Sequence, residues 1–241
     1  MPDFEIICLA NSRKRSGRCI AGLRIDGNGW LRPVTSDGPL NRRHYVLDNN
    51  TETSVLDILN INLTEPVPKI YQPENWLIGD QPWHLVARPA PQRYIHLIKQ
   101  FLENGSELFG NADDRVPLKI ITERPLSASL VLISPKDLRW HVTTSITGNR
   151  QIRARFNLSA AHYSLVVTDP QWEHRLIPLN EGVYSSEQVG IEENDEILLT
   201  ISLGGPLHAE CFKLVAAVRQ VEAALIQSGL FDSEDLQVQT G

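Results

Sequence analysis

Cys8-Leu9-Ala10-Asn11-Ser12-Arg13-Lys14-Arg15-Ser16-Gly17-Arg18-Cys19-Ile20-Ala21-Gly22 sets the reading of the whole chain. Two short apolar runs flank a cluster of four basic residues, one amide and two hydroxyls. The flanks read as β-strands. The polar cluster therefore falls at a strand end or in a loop between strands, where donors and positive charge suit a phosphate backbone or another polyanion.

Phe4 to Ala10 is mostly apolar and stops at Asn-Ser. Arg18 to Ile25 alternates, with Cys19, Ala21, Leu23 and Ile25 on one face and Arg18 and Arg24 on the other. Asp26-Gly27-Asn28-Gly29 is a hairpin turn, since Gly and Asn accept positive φ, and Trp30 to Val34 is the return strand. Val55 to Thr64 reads as a strand stopped by Glu65-Pro66-Val67-Pro68, and His84 to Arg88 as a short one before Pro89-Ala90-Pro91. Tyr94 to Asn104 carries a helical pattern, closed by Gly105. The polar stretch Ser106 to Arg115 reads as a loop and a seam.

A second β-run follows. Leu130 to Ile133, Leu138 to Thr144, Ile152 to Leu158 and Tyr163 to Thr168 are strand-like, and Arg150, Arg153 and Arg155 add charge around the third. After the acidic loop Glu187 to Glu196 come strands at Ile197 to Leu203 and Phe212 to Val218, then an apolar stretch, Val221 to Leu230, with a helical look. The fold expected is mainly β: two small β-barrels rather than one sandwich, with a connecting helix and a C-terminal helix. Residues 1–105 form the first barrel with its trailing helix, and residues 106–241 the second with the C-terminal helix.

A chain of 241 residues that is 41% hydrophobic and 22% charged is an ordinary globular composition. Its net charge of -6 hides an asymmetry. Residues 1–45 carry eight Lys/Arg against four Asp/Glu, while residues 170–241 carry three against twelve. The first end suits a polyanion; the second would orient it or meet a basic partner. Cys8, Cys19 and Cys211 are too few for a disulfide scaffold, and Cys8 and Cys19 read as small core residues. No apolar run reaches the roughly 20 residues of a membrane span, and no secretory signal opens the chain, so a cytoplasmic location is expected.

A barrel groove that holds a single strand needs cations and exposed aromatics. The nucleic-acid-binding candidates are Arg13, Lys14, Arg15, Arg18, Arg32, Arg42 and Arg43, with Trp30, Tyr45 and Trp140 as stacking residues. Trp30 equally suits a plug for the barrel end, Trp140 shares a strand face with Leu138 and Val142, and Arg13-Lys14-Arg15 also suits a solubilising loop. Seven histidines form no His-Glu-x-x-His pattern, and the cysteines form no Cys-x-x-Cys. Gly204-Gly205-Pro206 reads as a turn rather than a phosphate loop. No catalytic residue, metal site or cofactor is expected.

Cys8 to Lys14, Gly17 to Gly22, Trp30-Leu31-Arg32-Pro33-Val34, Leu199 to Pro206 and Phe212 to Val218 together resemble the prokaryotic dual OB-containing domain family. The resemblance implies two OB-type barrels in one chain and a place in conflict or antiviral defence systems. Two functions follow as expectations. One is binding of single-stranded or structured nucleic acid through the N-terminal basic residues. The other is an adaptor role, joining a nuclease or helicase-type effector protein without nucleic-acid contact of its own.

Overall fold

In the computed structural model, which describes residues 3–88, 98–103 and 105–221, the opening stretch forms a hairpin. Strands β1 (Asp3–Lys14) and β2 (Gly17–Arg24) pair antiparallel across the two-residue turn Arg15-Ser16. Arg15 adopts a left-handed conformation there, with φ 52°. A second turn, with Gly27 and Gly29 at φ 79° and 80°, leads into β3 (Trp30–Val34). After β4 (Ile58–Pro66) and β5 (Asn75–Ile78) the ring closes in the order β1-β2-β3-β5-β4, with β4 returning to β1. The β3–β5 pair is parallel and the other pairs are antiparallel. β6 (His84–Ala87) lies outside β4. Ile6, Cys8, Ile20, Leu31, Leu59, Ile61 and Trp83 fill the interior. At Gly22, a Cβ would sit 2.2 Å from the Ile7 carbonyl oxygen, so only glycine lets β2 approach β1 there.

The second sheet contains β7 (Arg115–Pro117), β8 (Leu130–Ile133), β9 (Lys136–Thr144), β10 (Arg150–Leu158), β11 (Ala161–Val167), β12 (Gly182–Tyr184), β13 (Glu196–Leu203) and β14 (Glu210–Val221). Its central order is β9-β10-β11-β14-β13-β8, again with one parallel pair, β11–β14. Only Ser134-Pro135 separates β8 from β9. β8 pairs with β13 and β9 with β10, so the two together do what β1 does alone, its first residues pairing with β4 and its remainder with β2. Proline has no N–H for a ladder, which is consistent with a break at this point. The second unit thus repeats the strand order of the first. A helix, Pro170–Leu176, sits between β11 and β13. Asp169 caps it by accepting from the Gln171 amide at 2.9 Å. Its Trp172 stacks on Trp140 at 4.6 Å between ring centres, with both rings in the core of the second barrel.

The barrels join through the outward face of β1–β3. Ile7, Leu9 and Leu23 pack with Leu132, Leu198 and Val221, and Ala10 and Ala21 with Leu130 and Ala216. Thr200 Oγ1 donates to the Leu9 carbonyl at 2.6 Å, and Gln72 Nε2 to that of Leu203 at 3.0 Å.

Most expected strands form, several with longer ends. β5, β7, β12 and the short helices Arg42–Tyr45, Leu118–Glu123 and Pro170–Leu176 were not expected. Most of the expected connecting helix, Tyr94 to Asn104, lies outside the described residues, although Ile98 and Lys99 are helical. Of the expected C-terminal helix only Val221 is described, and it ends β14 in an antiparallel pair with Glu196, where the apolar run continues the ladder. Among the described residues no helix is long and apolar enough to cross a membrane.

Candidate functional site

In an OB-type barrel the ligand face is the outside of the second and third strands with their adjoining loops. In the first barrel this face is sealed by the second. Arg32, on β3, is 1% exposed and is therefore not a groove residue, contrary to the sequence expectation. The parallel β3–β5 ladder pairs Arg32 with Asn75 and so brings Glu74 alongside. Arg32 Nε donates to Glu74 Oε1 at 2.8 Å, Nη1 to Cys19 Sγ at 2.7 Å, and Nη2 to Ser129 Oγ and Ser202 Oγ at 2.9 and 3.2 Å. Ser129 donates its amide and hydroxyl to the same carboxylate, at 3.0 and 2.5 Å. Burial opposes the charge on Arg32, but Cys19 and Glu74 outweigh it and hold the guanidinium pKa above its ordinary value. A paired, fully hydrogen-bonded buried charge of this kind is costly to break. Here it ties β2, β3 and the chain before β5 to the second barrel.

The other predicted residues scatter. Trp30 is half-buried in the apolar contact between the barrels, which withdraws it as an open stacking platform. Trp140 is 0% exposed, and Tyr45 packs against the first core. Arg13 is held by Glu173 of the Pro170–Leu176 helix, at 2.9 and 2.5 Å, and its amide donates to the Thr168 carbonyl at 2.7 Å. Lys14 and Arg15 are exposed at the hairpin tip; Arg18 is half-buried and pairs through its backbone with Leu40. Arg42 pairs with Glu52 at 3.1 Å. Arg43 donates to His44 and lines a cleft of about 710 Å³ with Gly17, Asp37, Asn41 and Trp83. Burial, then Arg43, lowers the pKa of His44. Asp37 and Asp80 also line this cleft, so its charge is mixed.

The corresponding face of the second barrel is open. Along β9–β11 the inward side chains Trp140, Val142, Ile152, Ala154, Phe156, Tyr163 and Leu165 form the core. The alternate positions point outward and hold Arg139 and His141, Arg153, Arg155 and Asn157, then His162 and Ser164. The ladders place Arg139 opposite Arg155, and His141 opposite Arg153. β9 and β10 together carry Lys136, Arg139, Arg150, Arg153 and Arg155 against the single carboxylate of Asp137. Arg155 Nη2 meets His141 Nδ1 at 2.8 Å. Burial, then Arg155 and Arg153, lowers the His141 pKa, which keeps the imidazole a neutral acceptor for that guanidinium. Arg153 is steadied by Asp114 at 3.2 Å and by Ser164. Arg139 and Arg155 are exposed. No Phe, Tyr or Trp stands at an outward position on these three strands, so the face offers charge and hydrogen bonds rather than stacking surface. In the sequence Arg153 and Arg155 stood out only as charge, with no site assigned to them, and Arg139 was passed over. The signal was present in the period-two spacing of Arg153, Arg155 and Asn157 and of Arg139 and His141.

Among the described residues no group of three or more His, Cys, Asp or Glu side chains could hold a metal ion.

No curated protein matches the chain. Among solved structures it is similar over 92% of its length to the tetrameric p202 HIN2, at 9% identity, TM-score 0.33 and 94% of that chain. A murine DNA binding protein bound with ds DNA matches at 8% identity, TM-score 0.31 and 100% of that chain, again over 92% of this one. The Ifi202 HINa domain in complex with 20bp dsDNA matches at 10% identity, TM-score 0.30 and 96% of that chain, with the same 92% coverage here. Likenesses this distant bear on no residue of the face described above. A family model, by contrast, matches residues 4–218, a span that takes in both barrels: the chain belongs to the dual OB-containing domain family.

Proposed function

We propose that the protein binds single-stranded nucleic acid along the open face of β9–β11. The observation that carries this reading is the row of exposed and half-exposed cations at Arg139, Arg153 and Arg155 on the strands an OB-type barrel uses for ligands. Phosphate contacts from such a row supply affinity without reading sequence. Lys14, Arg15, Arg18 and Arg43 of the first barrel extend the positive surface in a lesser role. Arg13 and Arg42 are already engaged by carboxylates, and Arg32 and Trp30 serve the junction. In this reading residues 1–105 and 106–241 are two units that work as one body, the first clamping the second and the second carrying the ligand.

An accessory role in a prokaryotic defence system, in the cytoplasm, fits the family as the setting for such a binder. The adaptor role has its own support. The acidic segment Glu187, Glu192 and Glu193 borders a cleft of about 300 Å³ next to Arg139 and suits a basic region of an effector protein such as a nuclease or helicase. The test is fluorescence anisotropy of a labelled oligonucleotide against the purified chain across a salt series. Log affinity is expected to fall linearly with log salt. Binding absent at every salt concentration overturns the nucleic-acid reading in favour of the adaptor.

A further inference from the structure

Beside Arg155 the open face carries a hollow of about 300 Å³, lined by Asp137, Arg155, Asn157, His162 and Ser164. It exists because the β9–β10 ladder slips. Arg155 faces Arg139, but Asn157 faces Lys136, which leaves an extra residue on β9. Asp137, in that bulge, takes a left-handed conformation, φ 53°, which Asp tolerates better than most residues. Bulges of this kind re-aim side chains, and they gather next to functional sites.

The hydrogen bonds inside the hollow fix its chemistry. The Asp137 carboxylate only accepts, so Asn157 must turn its Nδ2 toward it, and the two meet at 2.7 Å. That leaves Asn157 Oδ1 facing His162 Nδ1, which therefore donates. The imidazole keeps its Nε2 lone pair for a ligand. Asp137 keeps its second carboxylate oxygen, and Arg155 keeps the donors that His141 does not use. Two acceptors and one cationic donor thus line a single hollow. Among the bases, the Watson–Crick edge of guanine complements this set: N1–H and the N2 amine donate, and O6 accepts. Cytosine and adenine offer a single amine with neighbouring acceptors, and uracil or thymine offers one N–H between two carbonyls.

We propose that this hollow is a guanine-selective subsite for an unpaired base of the bound strand. The assignment rests on the nucleic-acid reading above and adds base selectivity to it. The probe is a labelled oligothymidine of about 16 nucleotides, the upper end of an OB-type site, carrying one central guanine, inosine, adenine or cytosine, or none. The guanine strand is expected to bind about tenfold tighter than the all-thymine strand, equivalent to roughly 1.4 kcal/mol. Inosine, which lacks the N2 amine, should fall between them. Asp137→Asn keeps a residue that tolerates the left-handed turn, and it should erase the guanine preference without changing the salt slope on oligothymidine. His162→Gln should reduce the preference in the same way. Equal, salt-dependent affinity for all five strands overturns the subsite and leaves the phosphate-binding face standing. No binding by any strand overturns both.

Discussion

The outward faces of β1–β3 in the first barrel and of β9–β11 in the second occupy the same place in the ring, yet one is dry and the other wet. The difference is written in the strands. β1 reads Ile6-Ile7-Cys8-Leu9-Ala10 without a break, because Ile6 and Cys8 fill one core while Ile7 and Leu9 pack on the other barrel. β10 reads Arg153-Ala154-Arg155-Phe156-Asn157, alternating because only one of its sides is covered. A strand buried on both faces loses its period-two signal, and a half-buried strand keeps it. The lesson is that equal topology does not mean equal use: one barrel turns its ligand face into a structural junction and leaves the other barrel's face free.

The junction should break most sharply at its buried ion pair. Glu74→Ala strands the Arg32 charge among Cys19, Ser129 and Ser202, and should cost about 3–5 kcal/mol of stability. A urea titration measures this. Arg32→Met combined with Glu74→Gln should recover part of the loss, since no charge is then left unpaired. Next in size is Trp30→Ala. Because the ring is half-buried, about 2 kcal/mol is expected, below the range for a fully buried aromatic. The salt slope of oligonucleotide binding should stay unchanged, whereas a base-stacking Trp30 would lose affinity at constant stability.

A buried cation in the second barrel sharpens the contrast with Arg32. Lys213, on β14, meets no carboxylate in an ion pair among the described residues; its ammonium donates to the Asn111 carbonyl and Oδ1 at 2.7 and 2.6 Å. Burial lowers its pKa to about 8. The folded pKa lies below the unfolded one, so between about pH 8 and 10.5 the unfolded chain binds the extra proton and stability rises with pH. The stability of wild type minus that of Lys213→Met should grow by about 1–2 kcal/mol across this window, read from paired denaturation curves. A constant difference would mean that Lys213 titrates as an ordinary lysine.

How far the chain could be read in advance follows the same division. The strands of both barrels were legible from alternation and turns, and the hairpin at Asp26 to Gly29 formed with both glycines at positive φ. The pairing of β8 with β13, and the short β5 and β12, depend on partners distant in sequence and left no local pattern. At the site, a dense cluster of charge, Arg13 to Arg18, drew more notice than the spaced arginines of β10. Yet Arg13 is bound by a residue 160 positions away, and Arg32 sits where a strand that looked half-open is covered by another barrel. Composition shows that charge is present; only tertiary packing shows which charge meets water.

On the proposed reading the open face of the second barrel, not the N-terminal hairpin, holds the nucleic acid. Two variants of equal charge change test it: Arg139→Gln with Arg155→Gln, and Lys14→Gln with Arg15→Gln. Each is titrated with oligothymidine across a salt series, alongside a melting curve that should move little for such surface changes. Loss of two single-strand phosphate contacts flattens the slope of log affinity against log salt by about 1.4. That full change is predicted for the Arg139/Arg155 pair, and less than half of it for the Lys14/Arg15 pair. The reverse order, with the hairpin variant losing the slope and the β9–β10 variant keeping it, would contradict the assignment.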